Sequence, residues 1–223
     1  MIAALRAARH GIVYAAPRRF HRREIAITFD DGPSAHWTPA ILDLLAAHAA
    51  HATFFVLGAA VDGNEAILTR TLAEGHELAN HAFSHTDLAT LSDGDVRAEL
   101  RRTSALIAAT AGGQPRHFRP PFADTDFRIA DLARSVGLKR TVLRSVDPAD
   151  WREPDARKIA ERVLARVRRG SIVCLHDALP PDRSIGTPSR QPTVDALAQI
   201  VPGLRARGFQ LVTVERLLTW RPR

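Results

Sequence analysis

The chain has 223 residues, 45% hydrophobic and 25% charged, a size and balance that suit one domain, or at most two small ones, with a large core. Its single cysteine, Cys174, excludes an internal disulfide and a Cys-rich zinc module, so any metal must be held by His and carboxylate side chains. The formal charge of +7 invites a nucleic-acid reading, but the arginines behind it (Arg18, Arg22, Arg101 and Arg168 among them) are scattered, and no nucleic-acid partner is expected; charge alone leaves an anionic glycan or a membrane surface open.

Residues 1–20 carry short apolar runs broken by Arg6, Arg9 and His10. They lack the apolar stretch of a secretion signal, and no run in the chain reaches the ~18 apolar residues of a membrane span. Residues 1–23 therefore read as a lead-in to a single domain over 24–220, and a cytoplasmic location is expected, with cell-envelope association as the alternative. EIAITF at 24–29 reads as a buried strand. Thr38 is placed as the cap of a helix with Pro39 at its first position. ATFFV at 52–56 is a second strand, a helix runs from Asn64 to Gly75, and HELA at 76–79 is a short third strand. Ser92 with Asp95 predicts a capping box for a long helix that stops at Gly112 and Gly113. Next come a short strand at 117–119, a helix over 125–137, a strand at 139–143, a helix opened by Pro154 that ends near Gly170, and the strand SIVCL at 171–175. Residues 177–191 read as one long loop, 193–207 as a helix kinked by Pro202, 209–212 as the last strand and 213–218 as a final short helix.

Strands alternating with helices predict parallel βα units, hence an α/β domain built as an irregular (β/α) barrel of seven or eight strands; a doubly wound open sheet is the alternative. In such a barrel the chemistry sits at the C-terminal ends of the strands. There the sequence puts Asp30 and Asp31, His81 and His85, Arg119, Asp150 and Trp151, and His176 with Asp177. Adjacent carboxylates repel and call for a cation or a proton between them. Histidines four apart share one face of a helical turn, and with a carboxylate from another strand they make a metal set with open positions. Asp150 and Asp177 are expected to raise the pKa of His176 and keep it protonated as a general acid. Pro120 and Pro121 stiffen the segment that presents the backbone N–H of Phe122 to an oxyanion.

Five segments in this order resemble the polysaccharide deacetylase (NodB-homology) family, also called carbohydrate esterase family four: ITFDDGP at 27–33, HAFSH at 81–85, RPPF at 119–122, DPADW at 147–151 and CLH at 174–176. The likeness spans about residues 25–218 and implies a barrel of NodB-homology type with a catalytic domain over 24–220. It implies a metal-dependent hydrolase that removes an N-acetyl or related acyl group from an amino sugar or glycan. Other amides or O-acetyl esters on the same fold are the alternative substrates, and a non-catalytic glycan-binding module is a further alternative. By the resemblance Asp31, His81 and His85 would hold a divalent metal, zinc first, with Co2+, Ni2+ or Mn2+ as substitutes. Asp30 would be the general base, His176 the acid, Asp150 and Arg119 their supports, and Phe122 the oxyanion donor. Pro121, Trp151 and Cys174 would line the substrate groove. The partner implied is a carbohydrate or N-acetylated small molecule; oligomeric state is left open. Ala82, Phe122 and Cys174 depart from the family's usual Ser or Thr, Tyr, and Leu. The last change implies a roomier acyl pocket.

Overall fold

Strand β2, Glu24–Asp30, is buried along its whole length and anchors the sheet. Its alternation sorts the core: Ile25, Ile27 and Phe29 pack outward with Ile41, Leu45, Ile159, Val163, Leu197 and Ile200 of the surrounding helices, while Ala26 joins Phe55, Ala79, Val142 and Ile172 on the inner face. Both faces are covered, which is why the run reads as continuously apolar rather than alternating. The computed structural model describes residues 7–16, 23–123, 125–180 and 188–219.

Seven further strands complete the sheet among the described residues: β1 Ile12–Val13, β3 Ala52–Val56, β4 Glu77–Asn80, β5 His117–Phe118, β6 Arg140–Val142, β7 Ile172–His176 and β8 Gln210–Leu211. Every ladder is parallel, in the order β1-β6-β5-β4-β3-β2-β7, with β8 paired to the start of β2. The helices between them are α1 Trp37–Ala47, α2 Glu65–Ala73, α3 Asp93–Ala111, α4 Phe127–Ser135, α5 Ala156–Arg166, α6 Gln191–Ala206 and α7 Val214–Thr219. No full ladder joins β7 to β1 among the described residues; isolated bridges Ala15↔Ser171 and Val146↔Val173 draw the two edges together. The result is the deformed (β/α) barrel that the alternation predicts, not an open sheet.

Local chemistry explains several boundaries and corrects others. Ser92 Oγ accepts from Asp95 N–H at the start of α3, and Gly112 closes the helix in the left-handed conformation, φ 65°. Thr38 is not the cap of α1: Ser34 Oγ accepts from the N–H groups of His36 and Trp37, and Thr38 lies in the first turn, where it donates to Asp177. Asp155, not Pro154, caps α5, accepting from Arg157 and Lys158, and α5 stops at Arg166, short of Gly170. Helix α6 runs unbroken through Pro202, held by buried Ile200, Val201 and Leu204. The expected loop at 177–191 gives up Gln191 to α6, and its residues 181–187 lie outside the described ones. Within the expected lead-in, Ile12 and Val13 pair with Thr141 and Val142, so this stretch is part of the sheet.

The closing contact leaves no room for a side chain at Gly170. Ala16 N–H donates to its carbonyl, φ is 78°, and a Cβ there would lie 2.7 Å from the Ala16 oxygen. Gly170→Ala is expected to cost about 1–3 kcal/mol. Gly112→Ala, also at positive φ but with nothing within 4 Å of the added Cβ, should cost less. Urea unfolding of the two variants checks the order; equal losses would mean that the closing contact constrains nothing.

Candidate active site

The C-terminal ends of β2, β4, β5 and β7, with the segment after β6, bring the sequence-predicted residues onto one rim. Asp30 ends β2 on the inner face and is buried. Arg119 Nη1 donates to its Oδ1 at 2.7 Å, and the Cys174 thiol donates to its Oδ2 at 3.3 Å. Burial pushes the Asp30 carboxyl up, but Arg119, then His81 and His176, outweigh it and hold the group below the usual carboxylate range. Burial and the Asp30 carboxylate together push the Cys174 thiol up, so it stays protonated and able to donate.

Asp31 turns off the strand at φ 77°. Its Oδ1 lies 3.4 Å from His81 Nε2 and 3.2 Å from His85 Nε2. The shared helical turn expected of the two histidines is absent: Ala82 and His85 have φ of 64° and 59°. The loop is instead pinned from outside. Asn80 Oδ1 accepts from Ala82 N–H while its Nδ2 donates to Leu100 O and Ser104 Oγ. Thr103 Oγ1 donates to Ala82 O, and Glu99 Oε2 accepts from the N–H groups of Phe83 and Ser84. Asn80, Glu99 and Thr103 were not singled out from sequence; a polar Asn closing an apolar strand one residue before His81 is the only signal.

His81 Nδ1 sits 2.7 Å from the carbonyl of Arg119 and donates to it, which orients the ring so that Nε2 faces Asp31. Asp31 Oδ1 is buried and has no hydrogen-bond partner among the described residues. Burial pushes the Asp31 carboxyl up, but His81 and His85 outweigh it and hold it well below the ordinary range. Two imidazole nitrogens and a carboxylate oxygen converging on one point fit a cation there, and the ligand atoms of Asp31, His81 and His85 all lie within 4.8 Å of one another.

Across the rim, His176 Nδ1 bonds Asp150 Oδ1 at 2.8 Å, and Asp150 Oδ2 accepts from His176 N–H and Thr193 Oγ1. Burial alone would lower the His176 pKa; Asp150 more than reverses it, with help from Asp31 and Asp30, and the pKa reaches about 9. Asp177 does not share in this, contrary to the sequence reading. It packs under Gly32 and accepts from Thr38 Oγ1 at 2.6 Å. Burial raises its own pKa to about 7, so it is largely uncharged in acidic solution and only partly charged at neutrality.

A cavity of about 280 Å³ opens between these groups, walled by Trp151, Cys174 and Phe122. Phe122 holds φ 60° and sets its ring edge-on to His85 with centroids 4.7 Å apart. Pro121 is buried in the turn behind and is not part of the lining, so its groove role is corrected to backbone support. Three lining arginines, Arg144, Arg152 and Arg190, were missed. Arg144 pairs with Asp147 at 2.7 Å. Arg190 is buried and donates to the carbonyls of Ala178 and Trp151, fixing the aromatic wall.

The sequence profile of polysaccharide deacetylases matches residues 18–141. A chitooligosaccharide deacetylase of Bradyrhizobium sp. (strain ANU 289) is 40% identical over 87% of this chain and 90% of its own length. A peptidoglycan-N-acetylglucosamine deacetylase of Bacillus cereus is 37% identical over 88% of this chain and 89% of its own. The crystal structure of a peptidoglycan N-acetylglucosamine deacetylase bound to a naphthyl N-hydroxybenzamide superposes with a TM-score of 0.86 at 30% identity, covering 99% of each chain.

The Asp150–His176 pair sets a pH dependence. Because the folded pKa of about 9 lies above the ordinary 6.5, the pair stabilises the fold fully below pH 6.5, and this contribution is lost as pH rises through about 9. Asp150→Asn should lower the His176 pKa, read by NMR titration of its ring, and flatten the stability change across that window. An unshifted titration would remove Asp150 as the cause.

Proposed function

The chain belongs to the polysaccharide deacetylase family, and from that premise we propose that it is a metal-dependent hydrolase acting on N-acetylglucosamine units of chito-oligosaccharide or peptidoglycan, from which it removes the N-acetyl group. The observation that carries the reading is Asp31 Oδ1, buried without a hydrogen bond and facing two imidazole nitrogens, with an ionised carboxylate on one side and a protonated imidazole on the other.

Asp31, His81 and His85 would hold the ion. Two imidazoles and one carboxylate with open positions suit zinc, and Co2+, Ni2+ or Mn2+ fit the same donors. Such an ion supplies a Lewis acid that polarises the acyl carbonyl and makes water more acidic. Asp30, held ionised by Arg119, is the base that takes the proton of the attacking water. The Phe122 N–H has no acceptor among the described residues and stabilises the developing oxyanion. His176 gives the proton from its Nε2 to the leaving nitrogen; Nδ1 is occupied by Asp150. This acid favours an amide over an ester substrate, since an amine departs only when protonated, whereas an alcohol is a better leaving group on its own. Trp151 stacks a sugar ring and Cys174 walls the acyl pocket. A non-catalytic binding module is disfavoured because ligands, base and acid are all in place.

Purified protein should carry about one divalent ion per chain by metal analysis, and His85→Ala should lose it. Asp30→Asn should keep the ion and the fold while kcat for chitotetraose falls roughly 10²- to 10⁴-fold. A metal-free wild type, or full activity in Asp30→Asn, would overturn the reading. Cys174 is smaller than the family's Leu, so propionyl and acetyl derivatives of one glucosamine oligomer should be cleaved at similar rates, and Cys174→Leu should restore acetyl preference. Strong acetyl preference in both proteins would sink the roomier pocket.

A further inference from the structure

Strand β1 ends at Val13, and the next residue is the chain's single tyrosine, Tyr14. Leu143 N–H donates to Val13 O at 2.7 Å, which sets Tyr14 beside the start of the segment that comes after β6 and carries Asp147, Asp150 and Trp151. Tyr14 is 53% exposed, the most exposed large hydrophobic side chain of the described residues. It lines a depression of about 300 Å³ together with Ala123, Leu143, Arg144, Ser145 and Asp147. Three of these, Ala123, Arg144 and Asp147, also line the catalytic cavity, so the two hollows adjoin and share a wall.

We propose that this depression is a second sugar subsite, in which Tyr14 offers its ring face to the residue adjoining the one that is deacetylated. The inference rests on the glycan reading above and adds to it a residue outside the site cavity, Tyr14, that makes affinity depend on oligomer length. An aromatic ring on a wet rim meets the apolar face of a pyranose, while its hydroxyl stays in water. Arg144 and Asp147, paired with each other at 2.7 Å, offer a donor and an acceptor to the sugar hydroxyls where the two hollows meet. A neighbouring sugar of the same chain is the occupant because the hollow borders, through Ala123, Arg144 and Asp147, the cavity that would take the acetylated unit. A larger polymer-binding surface would instead continue beyond Tyr14.

Kinetics on chitobiose, chitotetraose and chitopentaose test this, beside calorimetric binding of the same oligomers to Asp30→Asn, whose turnover is slowed roughly 10²- to 10⁴-fold. Tyr14→Ala should raise KM for the longer oligomers roughly three- to tenfold, the factor expected of one aromatic contact, with kcat unchanged and the disaccharide unaffected. Tyr14→Phe should restore the length dependence, which a folding defect would not allow. The same Tyr14-dependent gain with length should appear in binding. Losses equal at every length, or none, would overturn the subsite. Length-dependent binding without turnover by the wild type would leave the subsite standing and overturn the deacetylase reading instead.

Discussion

One buried guanidinium holds the site in register. Arg119 is fully buried at the end of β5, with its planar group over the ring of Phe55 at 4.1 Å. Its side chain donates to Thr28 and Asp30 on β2, to the Val142 carbonyl that ends β6 and to the Leu143 carbonyl just after it, while its backbone carbonyl receives His81 Nδ1. A charge taken this far from water is costly unless it is paired and its donors are met, and here they are. The consequence is geometric. The base on β2 and the first histidine after β4 are both referenced to the same residue, so their separation is set by the barrel and not by the conformation of either loop. Removing one partner of such a pair typically costs about 3–5 kcal/mol, because the other charge is left buried and alone.

Charge in the rest of the site is divided in the same way. Asp30 is matched by Arg119 and Asp150 by His176, each at hydrogen-bond distance. Asp177, pushed up to about 7 by burial, carries only a partial charge near neutrality. Cys174 remains a thiol because a thiolate would face Asp30. Asp31 is left facing the Nε2 atoms of His81 and His85, with no hydrogen-bond partner for its Oδ1 among the described residues. A divalent ion at this point would be held by one carboxylate and two imidazoles and would supply Lewis acidity there.

The parts of this arrangement legible in the sequence are those where the residue type and its place after a strand coincide. ITFDD joins a buried run to two carboxylates, and IVCLH joins another to an imidazole, so Asp30, Asp31 and His176 could be placed at strand ends on one rim. The backbone conformation between His81 and His85 was not legible: a spacing of four suits a helix, and only hydrogen bonds from Asn80, Glu99 and Thr103 impose the left-handed residues found there. Those partners stand up to 21 residues away, beyond the range of any periodicity. Thr38 misled for a related reason. A hydroxyl near a helix start is a fair cap on local grounds, yet its best acceptor, Asp177, is 139 residues distant.

The same logic applies to the N-terminal stretch. A two-residue strand has no periodicity to detect, so Ile12 and Val13 could be recognised as part of the barrel only through their pairing with Thr141 and Val142. Once paired, they constrain the path of residues 14–16: the chain must turn at Tyr14 to reach Ser171, and the turn falls beside the segment leading from β6 to the rim. An exposed aromatic there contributes little to the core, since more than half of it stays in solvent. Its position is set by the need to close the barrel, and closing it puts the ring in the hollow that adjoins the site. The seam that makes this barrel irregular is therefore also the place where the hollow beside the site is formed.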